Sequence, residues 1–241
     1  MAVLVDDDGS DNRIEADRAS IRGDVDVELR GRRNLILIGD GLQTDHSLRI
    51  RVHGDDNVVT LGEGIYFLGA RETFVQRSRI VVFGNRNRVA MGRGCSGSFG
   101  MRINADDAEV TLGEHCTAIM ARIQVLEQAS IALGDDCMLS ADVVFQVSDG
   151  HPIFDRATGA RINPAQDIRI GDHVWLGVGV RILKGADVGS GSVIGAESVV
   201  TQSITANCIA AGVPARVVRE NIEWRRNERQ FCASAKGTLD R

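Results

Sequence analysis

From Ile170 to Val200 an aliphatic residue returns at every sixth position: Ile170, Leu176, Ile182, Val188, Ile194 and Val200. Four residues after each stands a second small or aliphatic residue, Val174, Val180, Ala186, Ser192, Ser198 and Ile204, and Gly follows at 171, 177, 189 and 195. A period of six is neither helical nor simply alternating. It fits a short strand with two inward residues that turns a corner, where Gly is useful, so that three such sides close one coil of a parallel β-helix. Coils of this kind stack about 4.8 Å apart, and none can bury its apolar residues alone.

Looser copies extend upstream. "VTLGEGI" (59–65), "VAMGRGC" (89–95), "VTLGEHC" (110–116), "IALGDDC" (131–137) and "IRIGDHV" (168–174) share one template, with their Gly positions 30, 21, 21 and 37 residues apart. A coil of three hexapeptides needs roughly 18 residues, so the surplus is expected in loops. The largest surplus falls on 149–167, which holds two prolines and little periodicity and reads as a loop extruded from the coil. The stretch 220–236 has helix-forming composition and is expected to cover the last coil as a short C-terminal helix. The chain thus divides into an acidic N-terminal cap segment over 1–30, whose first twelve residues are expected to be disordered, a β-helix over 31–215 and a helical tail over 216–241.

Ten aromatic residues against 27 Gly and 3 Pro suit a narrow core of stacked aliphatic side chains. Of the net charge of -5, residues 1–30 account for all, while 216–241 carry a local surplus of three positive charges. That distribution argues against general nucleic-acid binding and leaves room for a small basic site for a phosphorylated ligand. No apolar run reaches transmembrane length and the acidic start lacks the features of a signal peptide, so a cytoplasmic chain with no membrane insertion is expected. Five cysteines include no CxxC pair. Cys95, Cys116 and Cys137 occupy the inward position that Val174 holds further down and read as small core residues, with a metal site or a disulfide as the alternatives.

Two residues invite chemistry. Val174 and Leu176 point inward, so Trp175 points outward, where it either packs against another subunit or the extruded loop, or walls a ligand groove. His151 opens the extruded loop between Asp149 and Asp155. It is either a solvated loop histidine or a general base whose second ring nitrogen is held by a neighbouring carboxylate or carbonyl. His46, His53 and His115 read as surface groups, and His173 shares the outward face of Trp175.

"SDGHPIFD" (148–155), Trp175 within "IGDHVWLGVGVRILKGADVGSGSVIGAESVV", and the closing "AAGVPARVVRE" (210–220) together resemble the galactoside, maltose and capsular polysialic-acid O-acetyltransferases of the hexapeptide-repeat superfamily. The resemblance is close over 145–220 and upstream is a shared repeat style. It implies a left-handed β-helix, a homotrimer, and acetyl-CoA lying in a cleft between subunits, with no metal. It further implies that His151 is the general base and that Trp175 lines the groove by the thioester. Gly177, Val178 and Ala196 would offer backbone groups to the pantetheine arm, Thr201 and Gln202 would lie near the adenine, and Arg216 and Arg219 near the phosphates. Gln202 departs from the family, whose members often carry Lys there. The implied activity is transfer of an acetyl group to a carbohydrate hydroxyl, on a surface polysaccharide or its precursor. An N-acetyltransferase of nucleotide-linked amino sugars and a non-catalytic scaffold share the fold. A γ-class carbonic anhydrase would need a His-x4-His pair, which does not occur.

Overall fold

The computed structural model describes residues 3–17, 19–68 and 78–226, and all regular structure within them is β. The chain winds in coils with three faces. Strands Val3–Asp7, Val25–Arg30, Leu48–His53 and Arg79–Phe83 begin the first face, which runs on through the second half of Ser96–Asn104 to Val199–Val200. Strands from Arg13–Ala16 to Asp187–Val188 build the second face, and those from Gln43–Thr44 to Cys208–Gly212 the third. Every pairing between coils is parallel. The architecture is the parallel β-helix that the six-residue repeat predicts, consistent with the left-handed form that the family resemblance implies.

The repeat works as expected. All twelve inward residues between Ile170 and Ile204 are buried, and the two that are polar are satisfied. Ser192 Oγ donates to the Thr205 carbonyl at 2.9 Å, and Ser198 Oγ accepts from the Gly212 amide at 3.0 Å. Cys95, Cys116 and Cys137 are buried free thiols, as the frame requires, each donating to a carbonyl of the next coil.

The last full coil spans the minimal 18 residues on all three faces, Arg169 to Asp187, Trp175 to Val193 and Arg181 to Val199, each in direct register. Arg79, Gly100, Arg122 and Val144 also stack in register, so those coils take 21 or 22. In the first coils the surplus goes into the corner after the first face, built on Gly-x-x-Asn at 9–12, 31–34, 54–57 and 84–87. The third residue of each turn is left-handed: Asp11, Arg33, Asp56 and Arg86. Gly is required at the first position of the middle turns, because a Cβ on Gly31 would lie 2.2 Å from the Gly54 carbonyl oxygen. The asparagines stack into a ladder. Asn34 Nδ2 donates to Asn12 Oδ1, Asn57 Nδ2 to Asn34 Oδ1 and Asn87 Nδ2 to Asn57 Oδ1, each at 3.0 Å, and the Ala108 amide closes it on Asn87 Oδ1 at 2.9 Å.

Both ends differ from expectation. Val3–Asp7 pairs with Val25–Leu29, so the acidic segment is strand-like, as its alternation suggests, but it is an ordered coil from Val3 onward rather than a disordered start. Asp6 finds a cation in the next coil, Arg30 at 2.7 Å, and Asp7 accepts from Gly9 and Asn12 of its own turn. At the other end Ala215–Glu220 turns back antiparallel on Cys208–Gly212 and covers the last open edge. The part of the expected C-terminal helix that is described, Glu220–Arg226, is not helical. It runs across the third face as a strap, because Trp224 gains more by packing there than its neighbours gain from helix propensity. The rest of that expected helix lies outside the described residues.

Candidate active site

The extruded loop between Val143–Gln146 and Ile168–Ile170 is internally tied. Asn163, buried, is its hub: its Nδ2 donates to Asp149 Oδ2 at 2.7 Å and to the His151 carbonyl at 2.9 Å, and its Oδ1 accepts from the Ile153 amide at 2.6 Å. Lys184 Nζ reaches Asp149 Oδ2 at 2.5 Å, and Arg161 pairs with Glu127 at 2.7 Å, so the loop is fastened to the coil on two sides. The Lys184 ammonium, and then the Asn163 amide, hold the Asp149 carboxyl below the usual carboxylate range. Asp155 folds its own turn by accepting from Thr158 and Ala157, and those bonds lower its pKa as well.

His151 is therefore held by its backbone and free at its ring. Neither flanking carboxylate orients the imidazole, contrary to one of the sequence readings, because Asp149 is engaged by Lys184 and Asn163 and Asp155 by its own turn. Among the described residues no hydrogen bond reaches the ring. Beside it the loop exposes Ile153, Phe154 and Ile162, each more than half exposed, on an otherwise polar rim.

Trp175 stands outward on the third face, as strand alternation requires, with Val174 and Leu176 fully buried on either side. Its neighbour is the strap and not the extruded loop. Trp224 lies 5.9 Å away, centroid to centroid, and stacks on His173 at 3.9 Å. His173 presents Nδ1 to Asp136 at 2.6 Å and Nε2 to the Trp224 carbonyl at 2.9 Å, while Trp224 Nε1 donates to the His173 carbonyl at 2.9 Å. Arg226 completes the fastening through Asp136 Oδ1 and Thr117 Oγ1, both at 2.7 Å. The result is an open groove of about 440 Å³ floored by Val193 and Ile209 and walled by Trp175, Trp224 and Arg219. Trp224, Arg226, Asn163 and Lys184 were missed in the sequence. The chain's second tryptophan, just past the last repeat, was the one available signal.

The remaining candidates fall in three places. Gly177 and Val178 turn the corner beyond Trp175, and Ala196 lies below them, so close that a Cβ on Gly177 would meet the Ala196 amide nitrogen at 2.7 Å. The backbone N–H groups of Val178 and Ala196 have no partner among the described residues. Arg216 and Arg219 both stand outward on the terminal hairpin, because the bulge at Ile209/Ala210 corrects their odd spacing. Arg216 turns one guanidinium N–H onto the Ala215 carbonyl. Thr201 and Gln202 lie one face further on, exposed after Val199–Val200. His151 and Trp175 do not meet within one chain. The whole second face, Ile168 to Val174, separates them, a span of roughly 20 Å in extended backbone.

Residues 167–202 match the family model "Bacterial transferase hexapeptide (six repeats)". The solved polySia-specific acetyltransferase NeuO superposes over 99% of this chain and 92% of its own, with 32% identity and a TM-score of 0.63. The chain belongs to the hexapeptide-repeat acyltransferases. Within that family the polysialic acid O-acetyltransferase OatWY has the same fold, covering 99% of this chain and 98% of its own at 26% identity, with a TM-score of 0.62. Curated relatives match over shorter stretches. The polysialic acid O-acetyltransferase of Escherichia coli O1:K1 is 36% identical over 51% of this chain and 40% of the relative. The galactoside O-acetyltransferase of Escherichia coli K12 is 37% identical over 41% of this chain and 48% of the relative. The aligned part thus spans less than half of these two curated relatives.

Proposed function

We propose that the chain is an O-acetyltransferase that moves an acetyl group from acetyl-CoA to a hydroxyl of a carbohydrate, a surface polysaccharide or its precursor. The observation that carries this reading is the imidazole of His151, with no hydrogen bond to its ring among the described residues, on a loop fastened through Asn163, Lys184 and Arg161, which leaves a ring nitrogen available to a general base. His151 takes the proton from the acceptor hydroxyl as the oxygen attacks the thioester carbonyl. The unpaired N–H groups of Val178 and Ala196 line the corner next to Trp175, offering bonds to a pantetheine amide or to the developing oxyanion. Collapse of the tetrahedral intermediate releases CoA thiolate, and the proton on His151 returns to it. Arg219, with Arg216 beside it, supplies charge for the phosphates.

The site is completed by a second copy of the chain. His151 and Trp175 occupy different corners of one β-helix, and the apolar rim of Ile153, Phe154 and Ile162 next to His151 fits burial against a neighbour. Three copies about an axis close such heterologous contacts, so a homotrimer with three shared sites follows from this reading. Among the described residues no helix is long and apolar enough to cross a membrane. With a cytoplasmic donor, the reaction is assigned to the cytoplasm.

The test is release of thiol from acetyl-CoA across a panel of glycans, with NMR of the product and sedimentation of the active protein. An acetyl ester on a sugar made by a trimer is the expected outcome. An alkali-stable amide product overturns O-transfer, and turnover by a monomer overturns the shared site.

A further inference from the structure

Above Trp175 the third face is hollowed. Trp175 pairs in register with Met138, Met138 with Thr117 and Thr117 with Ser96, so these outward side chains form one column along the helix axis. Beside the column lies a hollow of about 240 Å³, floored by Ala118 and Leu139 and walled by Leu68, Ile119 and Met138, with Ser140 at its lower end. The two floor residues are buried, whereas Ile119 is 56% exposed at the rim. One exposed aliphatic side chain means little, but three around one concavity over a buried apolar floor make a site for an apolar group. Trp175 lines the groove below, and its Nε1 donates to Ser140 Oγ at 3.4 Å, so one indole borders both cavities.

The order of the candidate donor contacts gives the hollow a role. Arg216 and Arg219 stand on the terminal hairpin, and Ala196 follows Val193–Ile194 in the coil paired with it. Gly177 and Val178 follow Trp175–Leu176 one coil higher, and Met138 and Ser140 lie one coil above those. A donor whose phosphates meet the arginines and whose thioester meets Trp175 therefore points its acyl group upward, into the hollow. We propose that the site takes acyl-CoA donors with unbranched chains longer than acetyl, such as butyryl or hexanoyl, and seats the added methylenes against Ile119, Met138 and Leu139. The inference rests on the acyl-transfer reading and widens its donor class. A water molecule takes up about 30 Å³ of the liquid, so a hollow of about 240 Å³ is several times what the methyl of an acetyl group fills. From Met138 to Leu68 it extends over three coil steps, roughly 14 Å at about 4.8 Å each. Among the described residues its lining holds no charged side chain, which suits a hydrocarbon tail and not a second anion. The bond changes are those of acetyl transfer: the thioester C–S bond breaks, an ester C–O bond forms, and the hydroxyl proton passes through His151 to the CoA thiolate.

Calorimetry with CoA, acetyl-CoA, butyryl-CoA and hexanoyl-CoA tests the inference without an acceptor. Affinity should rise with chain length, roughly fourfold for each methylene buried, so hexanoyl-CoA should bind the wild type about tenfold tighter than acetyl-CoA or better. Ile119→Ser with Met138→Gln should bring that ratio close to one, and Ile119→Val should keep most of it. Both side chains point outward, so melting temperature and sedimentation should hold, which separates binding from folding. Equal affinity of the wild type for acetyl-CoA and hexanoyl-CoA overturns this inference alone, as does an unchanged ratio in the double variant. A double variant that sediments as a monomer where the wild type is a trimer also overturns it, since the hollow then seats a neighbouring copy and not an acyl chain. Failure of CoA itself to bind overturns the transferase reading, and this inference with it.

Discussion

The coils before residue 147 and those after 168 both bury alternate aliphatic residues along each side, but the first-face strands before 147 are longer, burying Val25, Val27 and Leu29 where the lower ones bury a pair, and their corners turn differently. Above, the corner after the first face is a Gly-x-x-Asn turn in four coils, with a buried asparagine ladder and arginine–aspartate pairs spanning coils. Below, the turns are minimal, one 18-residue coil lies directly on the next, and the N–H groups of Val178 and Ala196 have no partner among the described residues. The upper turns use their polar groups to hold the solenoid together. The lower turns leave backbone groups open, and the candidate site residues cluster there and on the loop that divides the two regions. Longer corners stabilise; shorter corners expose what a ligand can use.

The sharpest way to break this contrast is to change one residue on each side of it. His151→Ala should lower turnover by roughly 10²–10⁴, the range for a lost general base, with almost no change in melting temperature because it is exposed and no hydrogen bond reaches its ring among the described residues. Retention of more than about a tenth of wild-type turnover would assign the proton transfer to another residue. Asn57→Ala should do the reverse. It takes their Asn57 partner from the Asn87 main-chain N–H and Nδ2 and from the Gly84 carbonyl in a buried ladder, a loss of about 3 kcal/mol. Thermal unfolding should show this, while turnover per folded molecule stays at wild type. An unchanged melting temperature would mean that the ladder contributes no stability.

A smaller effect is expected in the groove. Arg219→Gln should weaken acetyl-CoA binding by about 1–2 kcal/mol, the size of a partly solvated charge-assisted bond, and change saturated turnover far less. Trp224→Ala should loosen the strap and depress turnover, since Trp175 then loses its aromatic neighbour. Calorimetry and steady-state kinetics on the two variants distinguish these outcomes, and unchanged affinity in Arg219→Gln would remove it from the site.

What the sequence made legible was whatever repeats. The six-residue frame fixed the buried set from Ile170 to Ile204, the outward stance of Trp175 and the inward thiols, because each depends only on position within a coil. Loss of the frame, with two prolines, marked the extruded loop. The asparagine ladder was also written locally, as four Gly-x-x-Asn turns, but its energy lies between coils and shows only once they stack. Val3–Asp7 is a strand because it pairs in register with Val25–Leu29, with Asp6 meeting Arg30 in the next coil. The strap was hidden for a different reason. Residues 221–226 have a helix-forming composition, and what overrides it is His173, 51 positions away from Trp224. Likewise proximity in sequence suggested Asp149 as a partner of His151, and Lys184 takes that carboxylate from 35 positions away.

Lys184 offers the finest test of how the loop is held. Its bond to Asp149, with Asn163 and then Arg161 contributing, lowers the carboxyl pKa. A carboxyl that titrates lower in the folded chain than in the unfolded one adds stability above its unfolded value, near pH 3.9, and loses it as pH falls through the folded value. At pH 7 the clamp is therefore intact, and its acid failure lies below about pH 4, beneath the working range of a histidine base. Lys184→Gln removes the largest cause, so the carboxyl should titrate higher and the loop should open at a higher pH than in wild type. The pair is partly exposed, and the stability change at pH 7 should stay below about 1 kcal/mol. Positioning is more sensitive than stability, because the same loop carries His151 and one of its two fastenings is gone. Turnover should fall several-fold, and hydrogen exchange across 149–167 should rise while the Asn ladder stays protected. Wild-type exchange and turnover in Lys184→Gln would mean that Asn163 and the Arg161–Glu127 pair suffice to hold the loop.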